Sequence, residues 1–285
     1  MSSPVPGVMT RGLTGPEAVA WDPRGYLYAG GQDGRLHRLD IESGELVTVA
    51  DLGGRLLGVL VGSAGAVLVC NQDLGCVQLI DPLAGRVSVV TAGTTEMPMT
   101  TPNSLAAAPD GTLYVSDSGT WGTADGRLYS WHPETGTRLL RSSSRLYPNG
   151  VAIDREGRYL YLVESELPGV VRYELSGFAS DEDTREVFWR ASPESIPDGV
   201  TVCADASLLV TFYEPNLVVR LIDRQPHDYA SDPEGGLLNH PSNAAFFGRQ
   251  LTRLCVANLG GDHLAELPTE LRGATVRSPA AARPL

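Results

Sequence analysis

The chain has 285 residues, and 34 acidic side chains against 22 basic ones give a formal net charge of −12. All the basic residues are Arg, which excludes chemistry that needs a lysine, such as a Schiff base or the Lys of a phosphate-binding loop. With no basic run, nucleic acid and anionic membrane surfaces are not expected partners. We expect a small-molecule partner and a monomer or homodimer.

The start of the chain lacks a charged segment followed by an apolar run, so we expect no signal peptide there. No stretch approaches the roughly 18 uninterrupted apolar residues of a membrane span. The cysteines contain no C-x-x-C pair and are too sparse for a disulfide scaffold. We therefore expect a cytoplasmic protein with four buried free thiols, at Cys70, Cys76, Cys203 and Cys255.

One pattern recurs six times: a starting residue, a short apolar strand, a turn and a second apolar strand. The intervals between copies are 40, 46, 46, 49 and 44 residues, the period of a four-stranded propeller blade. Third and fourth strands follow in most copies, as at residues 34–39 and 45–49. The copies begin at Glu17, Leu57, Asn103, Asn149, Asp198 and Ser242.

The repeat predicts an all-β fold, a six-bladed β-propeller with four-stranded antiparallel blades. We assign residues 1–276 to this single domain and 277–285 to a disordered tail. A strand near residues 5–10 is expected to pair with the last blade, because an unclosed ring leaves sheet edges exposed. Asn-Gly and Asp-Gly pairs at 33–34, 110–111, 125–126, 149–150 and 198–199 are predicted to form tight turns.

Rotational repetition places the six starting residues around one mouth of the central tunnel. Four of them carry carboxylate or amide oxygens, namely Glu17, Asn103, Asn149 and Asp198. Two acids converging without a basic partner are unfavourable unless a cation lies between them. An all-oxygen set without His or Cys favours Ca²⁺, with Mg²⁺ or Mn²⁺ next, over zinc or copper. We expect Ca²⁺ as the cofactor, with Mg²⁺, Mn²⁺ or Zn²⁺ as substitutes. Taken singly, Asn149-Gly150 and Asp198-Gly199 are ordinary turn dipeptides.

Five motifs at these positions carry a family resemblance: Pro16-Glu17, Pro102-Asn103, Tyr147-Pro148-Asn149-Gly150, Pro197-Asp198-Gly199 and His240-Pro241-Ser242. In this order they resemble the senescence marker protein/gluconolactonase/regucalcin family, six-bladed propellers related to the paraoxonases and diisopropylfluorophosphatase. The resemblance implies a Ca²⁺-dependent hydrolase of lactones or small esters. It also implies Glu17, Asn149 and Asp198 as metal ligands, Asn103 as a ligand or substrate contact, and Asp198 as the catalytic general base.

In such an enzyme the cation polarises the substrate carbonyl and activates water. Two departures from the family pattern, Ser104 and Thr101, argue against a sugar lactone as the substrate. Trp121, in the long turn at residues 117–125, is a candidate substrate contact, with packing against a neighbouring blade as the alternative. The connection at 224–241, which carries His227 and His240, is a candidate lid, and we assign neither histidine a catalytic role.

Two other functions fit the same ring of oxygens. One is another metal-assisted enzyme on this scaffold, either a phosphotriesterase-like hydrolase or a biosynthetic lyase or isomerase. The other is a non-catalytic propeller that binds Ca²⁺ or a metabolite. The ligand residues do not separate these alternatives from a lactonase, because all of them would keep the same ring.

Overall fold

The computed structural model describes residues 6–62, 65–140, 146–180 and 184–277. Within these residues the chain forms six four-stranded antiparallel sheets, as the repeat predicted. Strand β1 spans Gly7–Arg11, and blades one to three follow in chain order. Blade one contains β2 (Val19–Asp22), β3 (Tyr26–Gly30), β4 (Arg35–Asp40) and β5 (Leu46–Asp51); blade two contains β6 (Leu56–Val61), β7 (Val67–Asn71), β8 (Cys76–Asp81) and β9 (Arg86–Thr91); blade three contains β10 (Pro102–Ala107), β11 (Leu113–Asp117), β12 (Arg127–His132) and β13 (Gly136–Leu139).

The remaining blades repeat the same order of strands, with one short helix, α1 (Leu175–Ser180), inserted in blade four. Blade four contains β14 (Pro148–Ile153), β15 (Tyr159–Glu164), β16 (Gly169–Glu174) and β17 (Glu186–Arg190); blade five contains β18 (Ile196–Val202), β19 (Leu208–Glu214), β20 (Leu217–Ile222) and β21 (Gln225–Ser231); blade six contains β22 (Pro241–Phe247), β23 (Arg253–Asn258) and β24 (His263–Leu267).

The ring is closed by the N-terminal strand. β1 pairs antiparallel with β24 and supplies the fourth strand of blade six, with Gly7 opposite Glu266 and Arg11 opposite His263. This confirms the predicted closure, with the strand displaced slightly from residues 5–10. Of the predicted tail at 277–285, only Arg277 lies within the described residues.

The core lies between the blades. In the described part of the chain, each pair of neighbouring blades encloses one apolar cluster, six in all. Inner strands such as β7 are buried along their whole length, because each blade is packed on both faces. Outermost strands such as β9 expose alternate residues, including Val87 and Val89. The four cysteines are buried and unpaired, as predicted.

Three of the five predicted tight turns are wrong. Asp125-Gly126 lies before β12 outside any turn, and Gly126 is not left-handed. Gly34 and Gly111 do adopt left-handed conformations in turns, but Asn149-Gly150 lies inside β14 and Asp198-Gly199 inside β18. The physical reason is close approach of first strands: a Cβ on Gly150 would lie 2.7 Å from the carbonyl oxygen of Asp198. Glycine is required there by the neighbouring blade and not by a turn.

The predicted lid is also wrong for about half of its length. Residues 225–231 form β21, the outermost strand of blade five, so His227 is an exposed residue of a sheet edge. Only the segment 232–240 connects blade five to blade six as a loop. Among the described residues, no helix combines the length and apolar character needed to cross a membrane.

Candidate metal centre

A cavity of about 370 Å³ lies where the first strands of five blades begin. Its lining includes every residue that the sequence assigned to the site, drawn from four blades: Glu17, Asn103, Trp121, Asn149 and Asp198. Further residues around it are Gln32, Arg55, Leu57, Gln72, Tyr147, Ser165, Ile196, Tyr213 and Leu259.

Irregular strand pairing orients the polar side chains. In β10 and β11, Pro102 pairs with Asp117 and Leu105 with Val115, so two residues, Asn103 and Ser104, oppose only Ser116. The same bulge follows Pro148 in β14 and Pro197 in β18. A bulge redirects the side chains of the bulged strand. The same bulge in three blades therefore turns Asn103, Asn149 and Asp198 toward the cavity.

Glu17 and Asp198 are buried acids that influence each other. Glu17 is 7% exposed and Asp198 5%, and no described residue donates a hydrogen bond to the Glu17 carboxylate. Burial raises the pKa of Glu17 to about 7, although the charge of Arg55 opposes the shift. Burial, and then the charge of Glu17, raise the pKa of Asp198 well above its usual range, against the amide of Asn149. Full ionisation of both therefore requires a positive charge nearby.

The two amides complete an oxygen-rich set. Asn149 is 6% exposed, and its Nδ2 atom donates to Ser165 Oγ at 3.3 Å. Asn103 is 5% exposed and makes no side-chain hydrogen bond within the described part of the chain. No group of three or more His, Cys, Asp or Glu side chains is placed to hold a metal among the described residues, so the amides are essential to a cation site here. Carboxylate and amide oxygens suit a hard cation such as Ca²⁺.

An aromatic pair forms one wall of the cavity. Trp121 is 52% exposed, and its ring packs edge-on against Tyr147 with centroids 4.9 Å apart. Burial, followed by the charges of Glu17 and Asp198, raises the pKa of Tyr147. The phenol therefore stays protonated and keeps its hydrogen-bond donor beside the acids.

The other two starting residues of the ring contribute differently. Leu57 presents an apolar side chain to the cavity. Ser242 Oγ instead donates to the backbone carbonyl of Glu17 at 2.7 Å, so this hydroxyl links blade six to blade one.

Ser104, one of the departures from the family pattern, also has a backbone role. Its Oγ atom accepts a hydrogen bond from Val151 N of the next blade at 3.2 Å. The candidate lid histidine His240 stacks on Tyr213, which lines the cavity, with ring centroids 4.2 Å apart. Neither Ser104 nor His240 is itself part of the lining.

Sequence reasoning missed Arg55 and Tyr147. Both stand two residues before a starting position of the repeat, as does Ile196, and all three line the cavity. A comparison of this register across the copies would have found them.

The loop at residues 94–100 contributes no lining residue, and Met99 in it is buried in the core between blades two and three.

Solved structures of other proteins share this fold. A gluconolactonase from Xanthomonas campestris superposes with a TM-score of 0.77 at 20% identity, covering 92% of this chain and 88% of that one. A calcium-binding protein, regucalcin, from Agrobacterium tumefaciens gives a TM-score of 0.78 at 20% identity, covering 95% and 96%. At these identities the likeness establishes the fold.

Among curated sequences, the adipocyte plasma membrane-associated protein of Gallus gallus is 25% identical over 242 residues, 74% of this chain and 57% of that protein. The chain thus spans little more than half the length of that relative. Residues 15–259 match the family described as the SMP-30/Gluconolactonase/LRE-like region. With its six blades and its polar axial cavity, the chain belongs to this SMP-30/gluconolactonase/LRE-like family.

Proposed function

We propose that the protein is a Ca²⁺-dependent hydrolase of lactones or small esters. The observation that carries the proposal is a pair of buried carboxyl groups, Glu17 and Asp198, that face one cavity together with two amides. Few neighbouring groups among the described residues donate hydrogen bonds to these carboxyl groups. Membership of a family that includes gluconolactonases and a calcium-binding regucalcin supports the same assignment.

Glu17, Asn103, Asn149 and Asp198 would hold the cation. Bound Ca²⁺ supplies Lewis-acid chemistry, polarising an ester carbonyl and stabilising negative charge on its oxygen. Asp198 has a second carboxylate oxygen that can accept a proton from the attacking water, the role of a general base. Burial raises the pKa of Asp198 in the cation-free site; a bound cation would lower this pKa and keep the carboxylate ionised, as a general base must be.

The surrounding residues define the kind of substrate. A cavity of about 370 Å³ has the size of a small-molecule site. The rings of Trp121 and Tyr147 offer an apolar wall, and the hydroxyl of Ser104 is engaged by the backbone of blade four. This lining favours an aromatic or aliphatic lactone over a sugar lactone.

The test is a hydrolysis panel on purified protein whose metal content has been measured. It contains aliphatic and aromatic lactones, glucono-1,5-lactone, an aryl ester and a phosphotriester, each assayed with Ca²⁺ and with chelator. We expect lactone or ester hydrolysis that chelator abolishes and Ca²⁺ restores. Asp198→Asn should lower kcat by about 10²-fold or more.

Asp51→Asn is the matched control, because Asp51 is an exposed carboxylate on an outer strand. It should retain both bound metal and activity. If the protein hydrolyses no lactone or ester, or if chelator leaves hydrolysis unchanged, the proposal is wrong. Turnover of the phosphotriester alone would instead favour the phosphotriesterase-like alternative.

A further inference from the structure

Arg55 stands out in the cavity as the one basic side chain among its described lining residues. It precedes β6, on the connection between blades one and two. Asp73 fixes it by several hydrogen bonds: Nε lies 3.0 Å and Nη2 2.6 Å from Asp73 Oδ1, and the backbone N of Arg55 lies 2.9 Å from Asp73 Oδ2. The guanidinium is therefore oriented before any ligand arrives.

This ion pair leaves part of the guanidinium available. Asp73 engages Nε and Nη2, and no acceptor among the described residues is hydrogen-bonded to Nη1. The positive charge acts on both Glu17 and Tyr147, so it is felt across the cavity. A guanidinium with free donors and a fixed plane is well suited to binding a carboxylate.

Neutral hydrogen-bonding groups flank Arg55. Gln32 and Gln72 also line the cavity, from the turns between second and third strands in blades one and two, the blades that Arg55 connects. The backbone N of Gln72 donates to the carbonyl of Arg55 at 2.9 Å. Each glutamine amide offers two donors and an acceptor to a ligand. This edge, which we call the Arg55 subsite (Arg55, Gln32 and Gln72), differs in character from the apolar wall of Trp121 and Tyr147.

We infer that the Arg55 subsite selects substrates that carry a carboxylate in addition to the lactone or ester group. The inference rests on the proposed hydrolase function and adds the substrate class. The carboxylate of the substrate binds the free donors of Arg55, and its apolar body packs on Trp121. The scissile carbonyl then points to the carboxyl groups of Glu17 and Asp198. Arg55 is thus a specificity residue and takes no part in the bond-breaking step.

The kinetic test compares dihydrocoumarin-4-carboxylate with its neutral carboxamide in the Ca²⁺-loaded protein. We expect wild type to prefer the carboxylate in kcat/KM, and Arg55→Gln to lower the ratio of kcat/KM for the carboxylate to that for the carboxamide by about 10- to 100-fold. Arg55→Lys keeps the charge without the planar fork, so its ratio should lie between those of wild type and Arg55→Gln. Arg86→Gln removes an exposed arginine that does not line the cavity and should leave the ratio unchanged.

A binding test separates this inference from the hydrolase proposal. The lactam analogue, 2-oxo-1,2,3,4-tetrahydroquinoline-4-carboxylate, and its carboxamide are titrated calorimetrically, since binding needs no turnover. Tighter binding of the carboxylate that Arg55→Gln abolishes supports the subsite even if hydrolysis fails. Equal binding of the two lactams by wild type, no binding of either, or equal losses on both in Arg55→Gln would overturn it. Melting temperatures verify that each variant is folded.

Discussion

The two acidic side chains of the cavity are also buried, and this combination lowers the stability of a folded protein. Glu17 and Asp198 are both less than one-tenth exposed, and an ionised carboxylate loses hydration on burial unless a partner compensates. Arg55 is a weak compensator because Asp73 already pairs with it. These residues therefore lower the stability of the metal-free protein, and a bound cation would reverse that effect.

This cost predicts how stability depends on pH in chelated protein. Burial raises the folded-state pKa of Glu17 from 4.5 to about 7, so between these values the native state binds more protons than the unfolded state. Stability should then fall as pH rises from 4.5 through 7, by on the order of 3 kcal/mol from Glu17 alone. Urea unfolding in chelator between pH 5 and pH 8 measures it.

Glu17→Gln is the matched comparison, since it keeps the shape and removes the charge. Its pH dependence should be flatter than that of wild type, and added Ca²⁺ should stabilise wild type at pH 8 but not the variant. Parallel curves for the two proteins in chelator would contradict this account of Glu17.

Trp121 leads to a prediction about substrate affinity. Its exposed ring contacts Tyr147 at the cavity wall, so Trp121→Ala should raise KM for an aromatic lactone about 3- to 10-fold and leave kcat within about 2-fold. Steady-state kinetics tests this, with Leu83→Ala as the control, because Leu83 is an exposed apolar residue that does not line the cavity. An unchanged KM would assign Trp121 to packing alone.

At the scale of strands, the site depends on how each blade is joined to the next. Ser116 Oγ in β11 donates to the carbonyl of Asn149 at 2.7 Å, and Thr211 Oγ1 in β19 donates to that of Ser242 at 2.9 Å. Second-strand hydroxyls thus bind the backbone of the first strand in the following blade. The starting residues are held by their neighbours as well as by their own sheets.

The close approach of first strands makes Gly150 sensitive to substitution. In Gly150→Ala the added Cβ would meet the backbone of Asp198 and Gly199, each at 2.7 Å. We expect a loss of about 1–3 kcal/mol in the free energy of unfolding, together with weaker Ca²⁺ binding, because β14 and β18 must separate. Denaturant unfolding and calcium titration measure the two effects.

Gly236→Ala is the control for this prediction. A Cβ there would meet only the far end of Asp232, at 3.9 Å, and the backbone is not left-handed. Its stability should stay within about 0.5 kcal/mol of wild type. Wild-type stability in Gly150→Ala would show that the blades can shift without cost.

The same glycines show where prediction from sequence succeeds and fails. The period of the repeat identified the strands and the ring positions, because both follow from a pattern within one blade. Asn149-Gly150 was interpreted as a turn because that dipeptide favours turns locally. Its glycine is instead required by the close approach of a strand 48 residues away, at Asp198. Arg55 was missed for a different reason: only the six starting positions were compared, and Arg55 stands two residues before one of them, in a register that also lines the cavity.

For the whole molecule, the decisive contact joins the two ends of the propeller. The ring is completed by four residue pairs between β1 and β24, across a bulge at Val8 to Thr10. Without β1, the backbone groups of β24 on that side would lack partners, and an unpaired strand edge promotes association between chains. Closure also brings Val19 and Leu264 into one apolar cluster between blades six and one.

Deletion of residues 2–11 should therefore lower the melting temperature by several degrees and produce soluble aggregates at micromolar concentration. Calorimetry and light scattering measure these effects, and a peptide of residues 6–11 added in trans should restore part of the lost stability by pairing with β24. Arg11→Ala is the control: it removes only an exposed ion pair with Asp262 and leaves the strand ladder intact, so it should change stability by less than about 1 kcal/mol. A truncated protein that melts like wild type would mean that the six blades hold the ring without their N-terminal strand.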